Sequence, residues 1–168
     1  MRKILLNVAV TLDGFIEGPG GEYDWCFTDQ DYGMTDFLAS TDTILFGRKS
    51  YELLLATDAN AWPTHKRYVF SRTAGTMEGA TVINGSIERS IEKIMAEKGK
   101  DIWLFGGADL ASSFLNLGMI NEFLLSIHPI LLGNGKRLFN GFGERKNLML
   151  KERRSYSSGL VQLVYTYG

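Results

Sequence analysis

The sequence predicts an α/β fold: a mostly parallel sheet, extended toward the C-terminus by antiparallel strands. Two observations predict it. Apolar runs alternate with helical segments over the first two thirds of the chain, and the segments after Gly118 are strand-like with no helix between them. Because 168 residues with 45% hydrophobic and 22% charged content suit one buried core, we expect a single domain over residues 1–168.

The individual elements follow from apolar runs and their boundaries. Strands are predicted at 4–10, 42–47, 67–72, 80–84, 101–106, 121–133, 146–157 and 160–168, and helices at 32–41, 48–56, 86–99 and 108–117. The 86–99 helix is the clearest, because its apolar residues recur at i, i+4, i+7 and i+8 and because Ser86 and Gly99 suit its two ends. The glycine-rich segment 12–25 is long for a connection, which is typical of a functional loop.

Charge and cysteine content argue against several classes of function. A net charge of −1 gives no general attraction to nucleic acid or to an anionic membrane. Cys26 is the only cysteine, and His65 and His128 are far apart in the sequence, so neither a disulfide nor a zinc motif is expected. No apolar stretch reaches the roughly 18 residues of a membrane helix. We predict a cytoplasmic protein whose partner is a small molecule and which holds no metal.

The charges are unevenly distributed along the chain. Residues 13–42 contain eight acidic residues and no Lys or Arg, whereas residues 136–154 contain seven basic residues and only two acidic ones. Such runs are most often solvated surface. The alternative is a cleft with one acidic lip and with basic groups elsewhere for an anionic ligand.

Three predicted strand ends carry small or polar residues of the kind that bind phosphate. They are residues 47–50 at the start of one helix, residues 71–72 after the third strand, and residues 106–107 before the fourth helix. A helix N-terminus offers free N–H groups and the positive end of its dipole, and glycine lets the backbone approach a ligand closely. Together these ends suit a cofactor with a pyrophosphate and a separate monophosphate, such as NADPH. Arg48 and Arg72 would bind the monophosphate through charge-assisted hydrogen bonds.

Other nucleotide and hydrolase sites fit the sequence poorly. Residues 108–111 read ADLA, so Gly106 and Gly107 do not complete a G-x-G-x-x-G fingerprint, and a Rossmann domain is disfavoured. The chain also contains no P-loop and no G-x-S-x-G nucleophile elbow.

Four segments of the sequence resemble known reductases. ILFGRKSYE (44–52) and LFGGADLASSFL (104–115) resemble two segments of dihydrofolate reductases. VTLDGFIEG (10–18) and HPILLGNGKRLF (128–139) are similar to the reductase domain of riboflavin-biosynthesis deaminase-reductases, the RibD C-terminal domain type, and most of all to stand-alone bacterial members. The resemblance covers essentially the whole chain.

The resemblance implies a dihydrofolate reductase-like, three-layer α/β/α fold with a central mixed sheet of about eight strands and four helices. It implies NADPH as hydride donor and a homodimer. The implied reaction is the reduction of a small heterocyclic or ribosylated substrate of pyrimidine or pterin type, as in 5-amino-6-(5-phosphoribosylamino)uracil reductases. The alternative is a protein that binds or senses a nucleotide or NADPH on this fold without turnover.

The resemblance also assigns cofactor contacts to the three strand ends and to the first strand. The residues implied to meet the cofactor phosphates are Gly47, Arg48, Lys49 and Ser50. Those implied to lie at the adenosine 2′-phosphate are Ser71 and Arg72. Those implied to line the pyrophosphate and nicotinamide side are Gly106, Gly107, Ala108, Asp109 and Leu110, with Ala9, Phe15 and Ile16 near the nicotinamide.

The resemblance leaves the catalytic acid open between Asp36 and Asp13. Dihydrofolate reductases carry an acidic residue on the first helix, which favours Asp36 with Asp31 as a neighbouring candidate. In riboflavin-type reductases the LDG segment after the first strand borders the substrate, which favours Asp13. Tyr23 and Trp25 are candidates to stack on a flat substrate ring, although packing within the loop would equally explain Trp25.

Overall fold

Ten strands and four helices make up the computed structural model of the chain, which describes residues 1–168. The strands are β1 (Ile4–Thr11), β2 (Phe15–Glu17), β3 (Thr41–Gly47), β4 (Lys66–Phe70), β5 (Thr81–Ile83), β6 (Asp101–Gly106), β7 (Glu122–His128), β8 (Lys136–Arg137), β9 (Leu148–Ser155) and β10 (Val161–Tyr167). The helices are α1 (Met34–Ser40), α2 (Arg48–Asp58), α3 (Ile87–Ala96) and α4 (Ala108–Asn116). None of the four helices is long and apolar enough to cross a membrane.

Eight of the strands form one mixed sheet in the order β5-β4-β3-β6-β1-β7-β10-β9. The pairs from β5 through β7 are parallel, and β10 pairs antiparallel with both β7 and β9. The expected α/β class, with a parallel sheet extended by antiparallel C-terminal strands, is confirmed. The antiparallel part begins one strand later than the sequence predicts, because α4 crosses over the sheet and returns β7 parallel to β1.

The remaining two strands, β2 and β8, form a small antiparallel ribbon that the sequence does not predict. They are too short to show an apolar period. The ribbon depends on Gly135, whose φ is +141° and where a Cβ atom would lie 2.2 Å from the carbonyl oxygen of Glu17. Glycine is therefore required where the two backbones meet.

The sheet buries an apolar cluster on each face, because successive side chains of a strand point to opposite faces. Ile4 and Leu6 of β1 face one cluster with Phe114 of α4, which α3 also covers. Leu5 of β1 faces the other cluster with Tyr51 of α2, which α1 also joins. The nearly continuous apolar runs of the parallel strands follow from burial on both faces.

The α1–α2 face of the sheet is covered only in part. These helices contact β3 and β4, which lie toward one end of the strand order. The part of the same face formed by β1, β7 and β10 has no helix over it, and half-buried residues such as Asn7, Ser126 and Gln162 lie there. This incomplete cover leaves a cleft between the sheet and the first two helices.

Candidate functional site

A cleft of about 1060 Å³ occupies the open part of the α1–α2 face. Its floor is formed by residues of β1, β6, β7 and β10, and its walls by α1, α2 and the loop of residues 23–33. Small-molecule and cofactor sites usually have about 300–1,000 Å³. The cleft is therefore large enough for a ligand of several rings.

The three strand ends singled out in the sequence lie at one edge of the sheet, beside this cleft. Register pairs Phe46 with Gly106 and Gly47 with Phe70, so β6, β3 and β4 end side by side. A Cβ atom on Gly47 would lie 3.5 Å from the carbonyl oxygen of Gly106 and 3.7 Å from the amide nitrogen of Gly107. We call residues 47–50, 71–72 and 106–108 the strand-end edge.

Two helices begin at the strand-end edge without a side-chain cap. The N-cap residues are Gly47 for α2 and Gly107 for α4, and neither has a side chain that could accept hydrogen bonds from the first turn. The amide of Gly107 donates to Ser50 Oγ at 2.9 Å, which joins the two helix starts. Gly106 has φ +97°, and the Gly106–Gly107 peptide is cis. The first turns of both helices thus present N–H groups, which favour an anion.

The charged residues of the strand-end edge are held loosely. The Arg48 guanidinium donates to the Glu52 carboxylate at 2.7 Å, in a pair whose side chains are 40% and 48% exposed. Exposed pairs of this kind contribute only about 0.3–0.5 kcal/mol, so Arg48 is readily available to another anion. Lys49 lines the cleft, and Arg72 is exposed and makes no ion pair. Ser71 Oγ accepts from the amides of Thr73 and Ala74 and so fixes the turn after β4.

Three of the residues implied to line the pyrophosphate side do not present their side chains to the cleft. Ala108 and Leu110 are buried in the core beneath α4. The Asp109 side chain is 91% exposed, with Lys136 Nζ 4.0 Å away. Only Gly107 of this segment lines the cleft, so α4 offers its backbone to a ligand and not its side chains.

The residues implied to lie near the nicotinamide divide in the same way. Ala9 and Ile16 line the cleft. Phe15 is buried, and the Arg137 guanidinium lies 4.9 Å from the centre of its ring. Phe15 therefore packs within the β2–β8 ribbon and does not contact the cleft.

Asp13 lies outside the cleft and holds a loop together. Its carboxylate accepts from the Thr11 hydroxyl at 2.6 Å and from the amides of Leu132 and Gly133 at 3.1 and 2.8 Å. These bonds, with the Thr11 hydroxyl first among them, lower the pKa of Asp13 to about 2. A carboxylate that is ionised at neutral pH and fully bonded has no proton to donate.

Asp36 and Asp31 both line the cleft, where α1 begins. The Asp31 carboxylate accepts from the amide and the hydroxyl of Thr35 at 3.0 and 2.6 Å, and the hydroxyl bond holds its pKa below the ordinary value. Asp36 is exposed on the first turn of α1 and is paired with no cation. Of the two acids between which the sequence leaves the choice open, only Asp36 reaches the cleft.

Four aromatic side chains line the cleft between α1 and α2, and the sequence did not identify them. Trp103 is their centre: its ring centroid lies 4.7 Å from that of Trp62, 5.2 Å from Phe105 and 5.3 Å from Phe37. The Trp103 indole N–H donates to the carbonyl oxygen of Asn7, which fixes the ring plane. We call Phe37, Trp62, Trp103 and Phe105 the aromatic wall. Its members come from one helix, one loop and one strand, so no local pattern could have assembled it.

The loop of residues 23–33 brings Tyr23 to the cleft but buries Trp25. The Trp25 ring packs edge-on against His128, with centroids 5.2 Å apart. Packing within the loop therefore explains Trp25, and Tyr23 alone of the two is open to a ligand.

His128 fastens this loop to the sheet. Its Nε2 accepts from the amide of Phe27 at 3.1 Å, and its Nδ1 lies 3.0 Å from the carbonyl oxygen of Ser126. Because Nε2 accepts, the ring proton belongs on Nδ1 and the imidazole is neutral. Burial lowers the pKa of His128, which favours the same neutral form.

Sequence comparisons show which proteins this chain is similar to. The chain matches the RibD C-terminal domain over residues 2–162. It is 48% identical to the uncharacterized protein YyaP of Bacillus subtilis, with 98% of this chain and 94% of that protein aligned. It is 26% identical to the riboflavin biosynthesis protein RibD of Corynebacterium ammoniagenes, over 79% of this chain and 44% of that longer protein.

Solved structures show the same fold. A structure from Shewanella sp. PV-4 has a TM-score of 0.89 at 23% identity and covers 100% of this chain and 99% of its own. The diaminohydroxyphosphoribosylaminopyrimidine deaminase/5-amino-6-(5-phosphoribosylamino)uracil reductase of Thermotoga maritima has a TM-score of 0.77 at 14% identity, covering 99% of this chain and 57% of its own. With the eight-stranded sheet and four helices described above, these matches confirm the dihydrofolate reductase-like architecture. The chain belongs to the RibD C-terminal domain family.

Proposed function

We propose that this protein is an NADPH-dependent reductase that transfers hydride to a small flat heterocycle of pyrimidine or pterin type. The observation that carries the proposal is the adjacency of two uncapped helix N-termini, those of α2 and α4, at the mouth of a cleft with an aromatic wall. The helix N-termini suit the phosphates of a dinucleotide, and the aromatic wall suits a flat ring. Membership of a family that includes RibD reductases supports the same activity.

The strand-end edge fits the cofactor. The amides at the starts of α2 and α4 would bind the pyrophosphate, and Lys49 and Lys136 at the same end of the cleft supply positive charge. Arg72 is exposed and unpaired beyond the end of β4, where it would meet the 2′-phosphate. NADPH supplies the hydride, and the protein positions the nicotinamide and the acceptor ring.

The aromatic wall fits the acceptor. Trp62 and Phe105, which are half-buried, offer apolar ring surface against which a flat heterocycle can pack, and the buried Trp103 ring supports both. We assign Asp36 the role of orienting or protonating that ring, because it is the candidate acid that lines the cleft without a bound cation. Asp13 would act at a distance by positioning residues 129–133.

A second candidate function, binding or sensing of NADPH without turnover, is favoured by one observation. Hydrogen bonds hold Asp13 as a carboxylate with a pKa of about 2, and Asp36 is an exposed acid that forms no ion pair. If neither residue delivers a proton, the cleft would still bind the cofactor and a flat ring.

Titration with NADPH tests both candidates, with tryptophan fluorescence as the readout because Trp62 and Trp103 line the cleft. We expect quenching that saturates, and NADPH oxidation with at least one member of a panel of pterins and ribosylaminopyrimidines. Binding with no oxidation across the panel would favour the sensing function. Absence of binding at millimolar NADPH would contradict both.

The nucleotide preference tests the assignment of the 2′-phosphate. Arg72→Ala should reduce the preference for NADPH over NADH by about tenfold, since one charge-assisted phosphate contact is lost. Arg48→Ala should also reduce this preference. In the unsubstituted protein Arg48 would leave its weak pair with Glu52 and bind the phosphate, and the variant loses that contact. Arg89→Ala removes an exposed arginine from α3, on the other face of the sheet, and is the matched control. An unchanged ratio in Arg72→Ala would contradict the assignment.

The homodimer stays a prediction from the resemblance. β9 is an edge strand with all eight residues exposed, and Leu148, Met149 and Leu150 are among them. Sedimentation velocity would test the prediction, with a species of twice the mass of the 18.8 kDa chain expected.

A further inference from the structure

We infer that Asn7 selects the acceptor ring by binding a cyclic amide edge, on which a ring N–H lies next to a C=O group. The inference rests on the proposed function and deepens it, because it names the residue that recognises the ring and the edge that the ring must carry. It follows from where the Asn7 side chain lies, from its lack of a partner within the protein, and from how the other polar groups of the cleft floor are bonded.

The Asn7 side chain lies on the cleft face of β1. Leu5 packs into the apolar cluster of the α1–α2 face, and side chains two positions apart on a strand point to the same face. Asn7 and Ala9 therefore follow Leu5 along the floor, and all three line the cleft. β1 lies between β6, which carries Trp103, and β7, where Leu124 is the register partner of Asn7. The carboxamide is thus placed beside the aromatic wall.

The Asn7 carboxamide forms no hydrogen bond within the protein. The Trp103 indole N–H donates to the backbone carbonyl oxygen of Asn7 and not to its side chain. The Asn7 side chain is half-buried, so it is open to water in the free protein, but a flat ring packed against the aromatic wall would displace that water. A buried amide without a partner costs free energy, so the ring must supply the hydrogen bonds that water supplied.

Gln162 is the contrasting carboxamide on the same floor, and it is fully bonded. Its Nε2 donates to the carbonyl oxygen of Tyr32 at 2.8 Å and to Ser126 Oγ at 3.1 Å. Its Oε1 accepts from the Tyr156 hydroxyl at 2.7 Å. The other polar side chains of the floor are also bonded within the protein, and they are Asp101, Trp103, Glu122 and His128. Asn7 is therefore the polar floor side chain whose hydrogen-bonding groups remain for a ligand.

The chemistry of a carboxamide defines the edge that it recognises. It offers an acceptor oxygen and a donor N–H side by side, so it forms two parallel hydrogen bonds with an –NH–C(=O)– edge. An edge with acceptors alone would set the Asn7 oxygen against another acceptor. Ala9, which the resemblance implies near the nicotinamide, lies two residues further along β1, about 6.6 Å away. A ring held at Asn7 would therefore remain beside the proposed nicotinamide position.

A matched pair of compounds and one variant test the inference. The compounds are 5-amino-6-(5-phosphoribosylamino)uracil and its 1,3-dimethyl derivative, which has no ring N–H, and binding is measured by calorimetry with NADP⁺ at saturation so that no hydride is transferred. Asn7→Leu has nearly the same volume as the native residue, so it retains the steric effect of the methyl groups and removes the hydrogen bonds. We expect the ratio of the two dissociation constants to be at least about tenfold larger in the unsubstituted protein than in Asn7→Leu. An equal ratio, or no binding of the unmethylated compound, would overturn the inference.

The stability of two variants separates a ligand-binding role from a structural one. Asn7→Leu removes no side-chain hydrogen bond within the protein, so its urea midpoint should be unchanged or higher. Gln162→Leu removes three internal hydrogen bonds on the same floor and should lower the midpoint. If Asn7→Leu lowered the midpoint as much as Gln162→Leu does, Asn7 would serve the fold, and the inference would be contradicted.

Failure of the inference and failure of the proposed function give different results. If the binding ratio depends on Asn7 but NADPH is not oxidised, turnover is contradicted and the inference stands. If the unmethylated compound is reduced with NADPH while the binding ratio is the same in both proteins, the proposed function stands and the inference is overturned.

Discussion

The strand-end edge and the aromatic wall border the same cleft but are built in different ways. The edge is made of backbone: glycines at helix starts, amide groups and a few loosely held cations. The wall is made of four packed aromatic side chains drawn from three elements. A backbone-made site tolerates changes of side chain but not of glycine, whereas a side-chain-made site depends on the rings themselves.

Removal of the central ring of the aromatic wall should have the largest effect. Trp103 is 3% exposed and contacts rings on three sides. Trp103→Ala should lower the free energy of unfolding by about 3–5 kcal/mol, because it leaves a cavity and frees the Asn7 carbonyl. Urea denaturation would measure the loss, and Trp103→Phe should retain part of the stability. A loss below about 1 kcal/mol would show that the wall is not a packed unit.

Substitution of the two candidate acids should distinguish a residue that acts in the cleft from one that holds a supporting loop. Asp36→Asn should lower kcat by about 10²–10⁴-fold if Asp36 supplies the proton. Asp13→Asn should affect kcat much less and should instead loosen residues 129–133, which hydrogen exchange at the Leu132 and Gly133 amides would report. The reverse order of the two effects on kcat would return Asp13 to the role of catalytic acid.

Alanine at Gly106 tests the backbone character of the strand-end edge. Gly106 has φ +97° and no neighbouring atom within 4 Å of a Cβ, so Gly106→Ala introduces strain without a clash. We expect a loss of about 1–2 kcal/mol in unfolding free energy and weaker NADPH binding. Gly85→Ala is the matched control, since it has the same open space without a positive φ, and should change stability by less than about 0.5 kcal/mol. Similar losses at both positions would refute the role of the φ angle.

The pH dependence of stability tests the attachment of the cleft loop. Burial lowers the pKa of His128 below its value in the unfolded chain, about 6.5, so the unfolded state binds the proton first. Stability should therefore be full above about pH 6.5 and should fall as the pH drops below it, by at most about 1.4 kcal/mol per pH unit. His65 also has a pKa lowered by burial, so the slope of unfolding free energy against pH is measured in His65→Gln as well as in His128→Gln. If the slope persists in His128→Gln, this histidine does not cause it.

The difference between the backbone-built strand-end edge and the side-chain-built aromatic wall also explains how much of the molecule could be predicted from its sequence. The sheet, the helices and the three strand ends are local patterns, and parallel strands bring their carboxyl ends together without further information. The meeting of the three strand ends at one edge could therefore be predicted, whereas the burial of the Ala108 and Leu110 side chains in the core could not. The contacts of these residues with a cofactor stay a prediction.

The aromatic wall and the His128 attachment could not be predicted, because they depend on tertiary placement. Trp62 lies in the segment between α2 and β4, which has no periodic pattern, and it meets Trp103 only after both elements pack. Likewise, the bond between Phe27 and His128 joins residues 101 positions apart. The sequence could not decide between Asp13 and Asp36 for the same reason, since only the fold shows which carboxylate reaches the cleft.

A structure of the protein with NADPH bound tests the central claim most directly. We predict pyrophosphate oxygens within hydrogen-bond distance of amides in the first turns of α2 and α4, and a nicotinamide ring directed along the cleft toward the aromatic wall. A cofactor bound with its phosphates away from both helix N-termini, or outside the cleft, would contradict it.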